Sequence, residues 1–384
     1  MGQKERNERK RARLWKAEGI FFLAFLVFLV AVNVITPDRQ TSEIENRTLA
    51  QMPKPTLQTI QNGKFEDRFE TYLSDQAAGR DFFKVLQSNV RYGLGNRLFD
   101  GVYAGSDQYL IQVFSEPTKE QIEEKVANIK EFQKQNEQLN VYVLLAPTSI
   151  GVLEEKLPKG APKSLQVETI QQFYDQLPKG VQTIDAVTAL QEKQKERIYY
   201  RTDHHWTTLG AYYAYESAKE PMNLRRNVEV ESYTVANDFQ GTLISTSGIY
   251  QDVYDTVEIM TPKKEETMIV TYVEEQKRAV SPYEEEALNE HDKYQVFFGG
   301  NHSLVRIETA VDTNRKLLVI KDSYGNSMVP FLTSHFAEID MVDPRYYYDD
   351  LSQLIEQQGI TDVLFLYNAN TFFSDTSLKS VLKS

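Results

Sequence analysis

The spacing of hydrophobic residues changes along the chain, and each change marks a different element. Residues 19–35 form an apolar run without a charged side chain, long enough at ~1.5 Å per helical residue to cross a hydrocarbon core. From about 37 to 65 the chain is polar and carries Pro37, Pro53 and Pro55, the composition of a linker. Phe65, Phe69, Tyr72 and Leu73, followed by Phe82, Phe83 and Leu86, recur at helical spacing and predict one or two helices within 65–98. Residues 102–113 alternate like a short hairpin with its turn at Gly105, Ser106 and Asp107.

Beyond Thr118 the pattern becomes repeated αβ units. An amphipathic helix over 118–139 precedes an apolar strand at 141–146, closed by Pro147. A helix over 165–176, a strand at 181–185 and a helix over 186–195 lead to the tetrad Asp203, His204, His205 and Trp206, with another helix from Thr207. The C-terminal part predicts strands at 316–321, 338–342 and 362–366, separated by helices over 324–334 and 349–358. Short unbroken apolar strands alternating with helices indicate an α/β fold, with a parallel sheet covered by helices on both faces. Between the two halves, 222–312 is rich in β-branched and aromatic residues and reads as a β-rich insertion. The resulting division is a basic tail at 1–18, a transmembrane segment at 19–36, a lead-in at 37–115 and a catalytic domain at 116–384.

Charge assigns the orientation. Between Met1 and Lys16, Lys4, Arg6, Arg9, Lys10, Arg11, Arg13 and Lys16 stand against only Glu5 and Glu8. Basic flanks stay cytoplasmic, so the remainder is expected outside the cell. With no small-residue cleavage pattern after the run, a retained single-pass anchor is expected rather than a removed signal. The net charge of −12 argues against a nucleic-acid surface, which needs clustered cations. Cysteine is absent, which excludes a disulfide framework, thiolate metal sites and a cysteine nucleophile.

Ser323 lies in IKDSYGNS at 320–327, after a buried strand and before a helix. A hydroxyl there faces the crevice beyond the strand ends, and the helix start offers backbone N–H groups to a developing oxyanion. A serine at this place is also a common helix cap. The tetrad at 203–206 favours chemistry: a hydroxyl nucleophile needs a general base, and the base needs a carboxylate to hold its tautomer. His205 is the candidate base and Asp203 its partner, with Trp206 packing against their loop. Adjacent histidines also suit a metal, but no HExxH pattern is present, and His291, His302 and His335 are scattered. No metal or cofactor is expected.

The tetrad DHHW, with KDSYGNSMVPFL at 321–332, resembles the DHHW family of bacterial surface proteins and the related extracytoplasmic alginate O-acetyltransferase group. Further matching pieces are SEIENRTL at 42–49, Leu145-Ala-Pro147 at the strand end and FGGN at 298–301. The wider group is similar to SGNH hydrolases with the order of sequence blocks permuted, the serine block following the histidine block. This resemblance implies an oxyanion-binding asparagine after the third strand of the serine-bearing half, Asn368 first and Asn370 second. Tyr324, Arg345 and Tyr346 are candidate cleft-lining residues.

The resemblance also implies serine-dependent O-acyl transfer, chiefly acetyl, to a cell-surface or secreted polysaccharide. A polytopic membrane-bound O-acyltransferase would be the acyl supplier. An esterase using the same residues, and a non-catalytic glycan-binding or scaffold protein, remain as alternatives.

Overall fold

The computed structural model describes residues 3–42, 47–264 and 266–382, so positions 43–46 of the 42–49 motif lie outside the described residues. The chain divides into two compact units, Met1–Gly93 and Leu94–Ser384.

In the first unit, one helix runs over Gln3–Ile35. Its stretch Arg13–Ile35, 23 residues with a mean hydropathy of 2.5, is long and apolar enough to cross a membrane. The linker contains a short helix at Leu57–Gln61. The helical periodicity beyond it resolves into Lys64–Gln76 and Arg80–Gly93, separated where Gly79 takes a φ of +73°, a left-handed backbone that suits glycine.

The second unit is a mixed α/β fold built on a large sheet. Its strands are β1 (Asn140–Ala146), β2 (Val181–Thr183), β3 (Met268–Tyr272), β4 (Lys277–Ala279) and β5 (Leu304–Thr309). They are followed by β6 (Lys316–Lys321), β7 (Glu338–Val342) and β8 (Asp362–Asn368). The order across the sheet is β4-β3-β5-β7-β6-β8-β1-β2. From β7 to β2 all neighbours are parallel, whereas β5, β3 and β4 join antiparallel. The expectation of a parallel sheet is therefore corrected to a mixed one, because strands from the β-rich segment 222–312 extend it antiparallel. The physical reason is visible in β5, where buried Val305 and Ile307 alternate with less buried Arg306 and Glu308. That one-sided pattern belongs to antiparallel strands.

Successive residues of the parallel strands enter two separate cores. Tyr142, Leu144, Val319 and Leu366 pack with Ala211, Tyr215 and Met328 from helices Thr208–Ala218 and Tyr324–Leu332. Val143, Leu145, Ile320 and Phe365 pack with Ile129, Phe173 and Leu354 from helices Lys119–Gln135, Gln166–Tyr174 and Leu351–Gln358. Each buried Val, Leu, Ile, Met or Phe among them contributes on the order of 1.5–3 kcal/mol. The predicted hairpin at 102–113 is present as Val102–Ala104 paired with Leu110–Gln112, and Leu98–Phe99 adds a third strand.

β6 lies between two parallel neighbours, so the crevice beyond its carboxyl end is walled on both sides. Helices Thr208–Ala218 and Tyr324–Leu332 pack through Tyr212 and Tyr215 against Phe331, with ring centroids 5.4 Å apart in both pairs. This packing brings together the segments that precede each helix, which hold His205 and Ser323.

Candidate active site

Ser323 follows Lys321, the last residue of β6, and Asp322, and precedes the helix Tyr324–Leu332. It has helical backbone angles and makes no capping bond with its side chain. Its Oγ instead lies 2.7 Å from His205 Nε2 across 118 residues of sequence. His205 Nδ1 lies 2.6 Å from Asp203 Oδ1, which also accepts the His205 backbone N–H at 2.9 Å. Asp203 Oδ2 accepts the backbone N–H and the hydroxyl of Thr242 at 2.9 and 3.1 Å. The resulting chain, Ser323 to His205 to Asp203 to Thr242, gives the imidazole Nδ1–H a fixed acceptor and leaves Nε2 to take the serine proton.

The loop carrying the tetrad is held from several sides. Asp255 accepts the backbone N–H of Arg201, and the N–H and hydroxyl of Thr202. Trp206 is fully buried; its indole N–H donates to Ser327 Oγ at 2.8 Å, and its ring lies 4.8 Å from that of Tyr324. Two glycines permit close approach. A Cβ on Gly210 would stand 2.3 Å from Ile198 O, and one on Gly241 would stand 2.1 Å from Asp203 Cβ. Tyr294 lies flat on His205, with ring centroids 3.8 Å apart and planes 10° apart. Its hydroxyl donates to the Ser323 carbonyl at 3.0 Å and lies 2.9 Å from Ser327 Oγ. Neither Thr242 nor Tyr294 was singled out from the sequence. Both come from the insertion, and no local motif distinguishes them from its other threonines and tyrosines.

Electrostatics follow from burial. Burial alone would raise the Asp203 carboxyl, but the neighbouring His204 and His205 and the bonds from His205 outweigh it and hold the group well below the usual carboxylate range. His204 is lowered to about 4, first by burial and then by His205. Asp322, fully buried, is raised to about 6 by desolvation, against the N–H groups of Tyr324 and Asn368. Lys321 is lowered to about 8 by burial and is bonded to Asn301 Oδ1 and Asn326 Oδ1 at 3.1 and 2.7 Å. His335, beside Tyr215, is lowered to about 4, chiefly by burial.

These shifts set an acid response. An unfolded histidine takes up its proton near its ordinary value, whereas folded His204 and His335 stay neutral to about 4. Between roughly pH 6.5 and 4 the unfolded chain therefore binds more protons at these two positions, and their contribution to stability is lost as pH falls. Asp322, raised to about 6, acts in the opposite sense over part of that window. The two histidines are expected to shift thermal unfolding to lower temperature as pH goes from roughly 6.5 to 4. Calorimetry across that range checks it, and His335→Asn should flatten the dependence.

The other sequence-derived candidates are occupied with neighbours. Both amide protons of Asn368 are engaged, with Asp322 Oδ2 at 2.6 Å and Thr371 Oγ1 at 2.9 Å. Asn370 reaches Gln112 Oε1 and Val113 O. Tyr324 is buried, and its hydroxyl donates to His204 O at 2.5 Å. The helix-start N–H groups of Tyr324 and Gly325 bond to Asp322, whereas the Ser323 N–H has no acceptor among the described residues. Arg345 holds Asp343 through Nε and Nη2 at 2.8 and 2.5 Å and remains one-third exposed. β6 pairs with β7 in the register Ile320 to Val342, which puts Arg345 past the end of β7 much as Ser323 lies past the end of β6. Gly299 and Gly300 have φ of +71° and +109° but do not turn a hairpin; the Gly300 carbonyl accepts from Asn326 Nδ2 at 3.0 Å.

Asp203, His204 and His205 offer potential metal-ligand atoms within 4.8 Å of one another. In the geometry described, both His205 nitrogens and both Asp203 oxygens are hydrogen-bonded, and His204 Nδ1 meets Thr242 Oγ1 at 2.9 Å. A cation coordinated by all three would have to displace one of the hydrogen bonds that orient the imidazole.

Comparisons with known proteins agree with this arrangement of motifs. Residues 88–342 match the model of the DHHW protein family. The chain is similar to a probable alginate O-acetylase AlgJ of Pseudomonas syringae pv. tomato, 31% identical over 172 residues, which are 40% of this chain and 41% of that protein. It is also 29% identical over 180 residues to a probable AlgJ of Pseudomonas putida, covering 43% of this chain and 45% of that protein. The chain thus spans less than half the length of these curated relatives. The crystal structure of a DHHW family protein from Eubacterium siraeum superposes with a TM-score of 0.63 at 26% identity, over 74% of this chain and 96% of that one. Bacillus cereus PatB1, solved with a sulfonyl adduct, shares the fold with a TM-score of 0.61 at 20% identity, over 72% and 96% of the two chains. The family match covers well over half of the sequence and includes both the tetrad at 203–206 and Ser323: the chain belongs to the DHHW protein family.

Proposed function

We propose that this protein is a serine-dependent O-acyltransferase that moves an acyl group, in the first instance acetyl, onto hydroxyls of an extracytoplasmic polysaccharide. The observation that carries this reading is the unbroken hydrogen-bonded chain from Ser323 Oγ through His205 to Asp203. Ser323 attacks the acyl carbonyl while His205 Nε2 takes its proton, and Asp203 stabilises the imidazolium that forms. The Ser323 N–H is the first donor to the oxyanion. Collapse leaves an acyl-serine and returns the proton to the leaving group. His205 then deprotonates a sugar hydroxyl, which takes the acyl group and frees Ser323. The alginate O-acetylase name borne by the relatives supports acyl transfer to a glycan over hydrolysis.

In this reading the domain is SGNH-like with its blocks permuted, the serine strand following the histidine loop in sequence. The helix Arg13–Ile35 anchors the protein in the cell membrane, with the basic N-terminus cytoplasmic and the catalytic unit outside. Acetyl-CoA is a cytoplasmic donor, so a polytopic membrane-bound O-acyltransferase would pass the acyl group across.

The test supplies the purified protein with a chromogenic acetyl ester and a glycan oligosaccharide, and follows both by mass spectrometry. Acetylated oligosaccharide supports the transferase. Acetate release without sugar modification favours an esterase. A folded protein that forms no acyl-serine with any ester would sink the proposal.

A further inference from the structure

The helix Arg80–Gly93 is oriented inside out for a soluble protein. Phe82, Phe83, Leu86 and Val90 are 66, 59, 48 and 55% exposed, while Ser88 is the buried residue of this helix. At roughly 100° per residue the four apolar side chains share one face about 100° wide, and Ser88 lies opposite its centre. A contiguous apolar stripe of this kind marks a surface that something covers.

What covers it is indicated by the turn that opens the helix. The Ala78 N–H donates to Asn33 Oδ1 at 2.9 Å, and Asn33 lies in the last turn of the long apolar helix. Gln76 pairs with the Arg39 backbone through two bonds of 2.9 Å. Arg39 Nη1 meets Asp81 Oδ2 at 2.8 Å, and Tyr72 donates to Asp38 at 3.0 Å. These contacts tie residues 72–81 to the segment 33–39, where the chain leaves the apolar run. They hold the start of Arg80–Gly93 at the level where a spanning helix would leave the hydrocarbon.

We infer that the helix Arg80–Gly93 is an interfacial membrane helix, its Phe82, Phe83, Leu86 and Val90 face seated in the outer leaflet beside the anchor. This inference rests on the membrane-anchor reading of Arg13–Ile35. An amphipathic helix bound at the headgroup boundary buries its apolar face without spanning, and here the anchor removes the need for independent affinity.

The absence of cysteine allows a direct test on the full chain. Single variants Leu86→Cys, Val90→Cys, Arg91→Cys and Val27→Cys are spin-labelled and reconstituted into vesicles of phosphatidylethanolamine and phosphatidylglycerol. Collision with oxygen is then compared with collision with a water-soluble nickel chelate. The expected result is an oxygen-to-nickel ratio at 86 and 90 several-fold above that at 91, approaching that at 27. Labels at 86 and 90 that meet the nickel chelate as freely as 91 would overturn the inference, with 27 in lipid showing that the anchor itself stands. Labels shielded from both reagents would overturn it in favour of a second copy of the chain. A water-accessible 27 would overturn the anchor reading, and this inference with it.

Discussion

Ser323→Ala is expected to abolish acyl-enzyme formation and to lower transfer by at least about 10³-fold, since residual rate then depends on binding and oxyanion contacts alone. The fold should survive, because Ser323 makes no capping bond that the helix Tyr324–Leu332 needs. The group removed is the hydroxyl 2.7 Å from His205 Nε2. If Ser323 and His205 act as a unit, as proposed, the double variant with His205→Ala should lose no more than either single change. Intact-mass measurement with an activated acetyl ester, beside circular dichroism for folding, checks both statements. A Ser323→Ala protein that still gains one acetyl would place the nucleophile elsewhere.

Asp203→Asn is expected to lower kcat by about ten-thousand-fold, by analogy with the same change in a serine-histidine-aspartate system. The local geometry explains why the loss should be large. Asp203 Oδ1 accepts both N–H groups of His205, and Oδ2 accepts the N–H and hydroxyl of Thr242. An amide has one oxygen for these positions, so its NH₂ must face donors on one side. The imidazole then loses its tautomer or the Thr242 contact breaks. The carboxyl is also held ionised far below its usual range, against its own burial, by the neighbouring histidines. The neutral amide gives the imidazolium no comparable partner. Steady-state kinetics against pH, with folding monitored in parallel, would reveal this. A loss below tenfold would mean that Asp203 only positions the loop.

Much of the scaffold was legible because its physics is local. The strand at 316–321 coincides with β6, since the unbroken apolar run Leu317–Ile320 bounded by lysines has few alternatives in a two-faced sheet; that at 338–342 coincides with β7 although Asp340 interrupts it. Ends of helices shifted by a few residues: 118–139 became Lys119–Gln135, where Asn136 ends the helix. The β-rich character of 222–312 was also legible, but its attachment was not. Whether β5 pairs with β7 or begins a separate sheet depends on partners far away in sequence.

The same division holds for the site. The sequence alone determined which residues carry the chemistry to be tested. A carboxylate two positions before a histidine and a serine at a strand end are compact signals, and each residue type has a distinct chemical capacity. It likewise determined the apolar run at 19–35 and its basic flank, because length and charge are properties of a segment by itself. Only the tertiary structure decided that Ser323 and His205 meet, through the packing of Tyr212 and Tyr215 on Phe331. It alone brought Thr242 and Tyr294 from the insertion onto Asp203 and His205, and committed the Asn368 amide to Asp322 and Thr371. A side chain's hydrogen-bond partners depend on which distant segments the core brings beside it. A motif can name the reactive groups, whereas the neighbours that orient them appear only once the chain has packed.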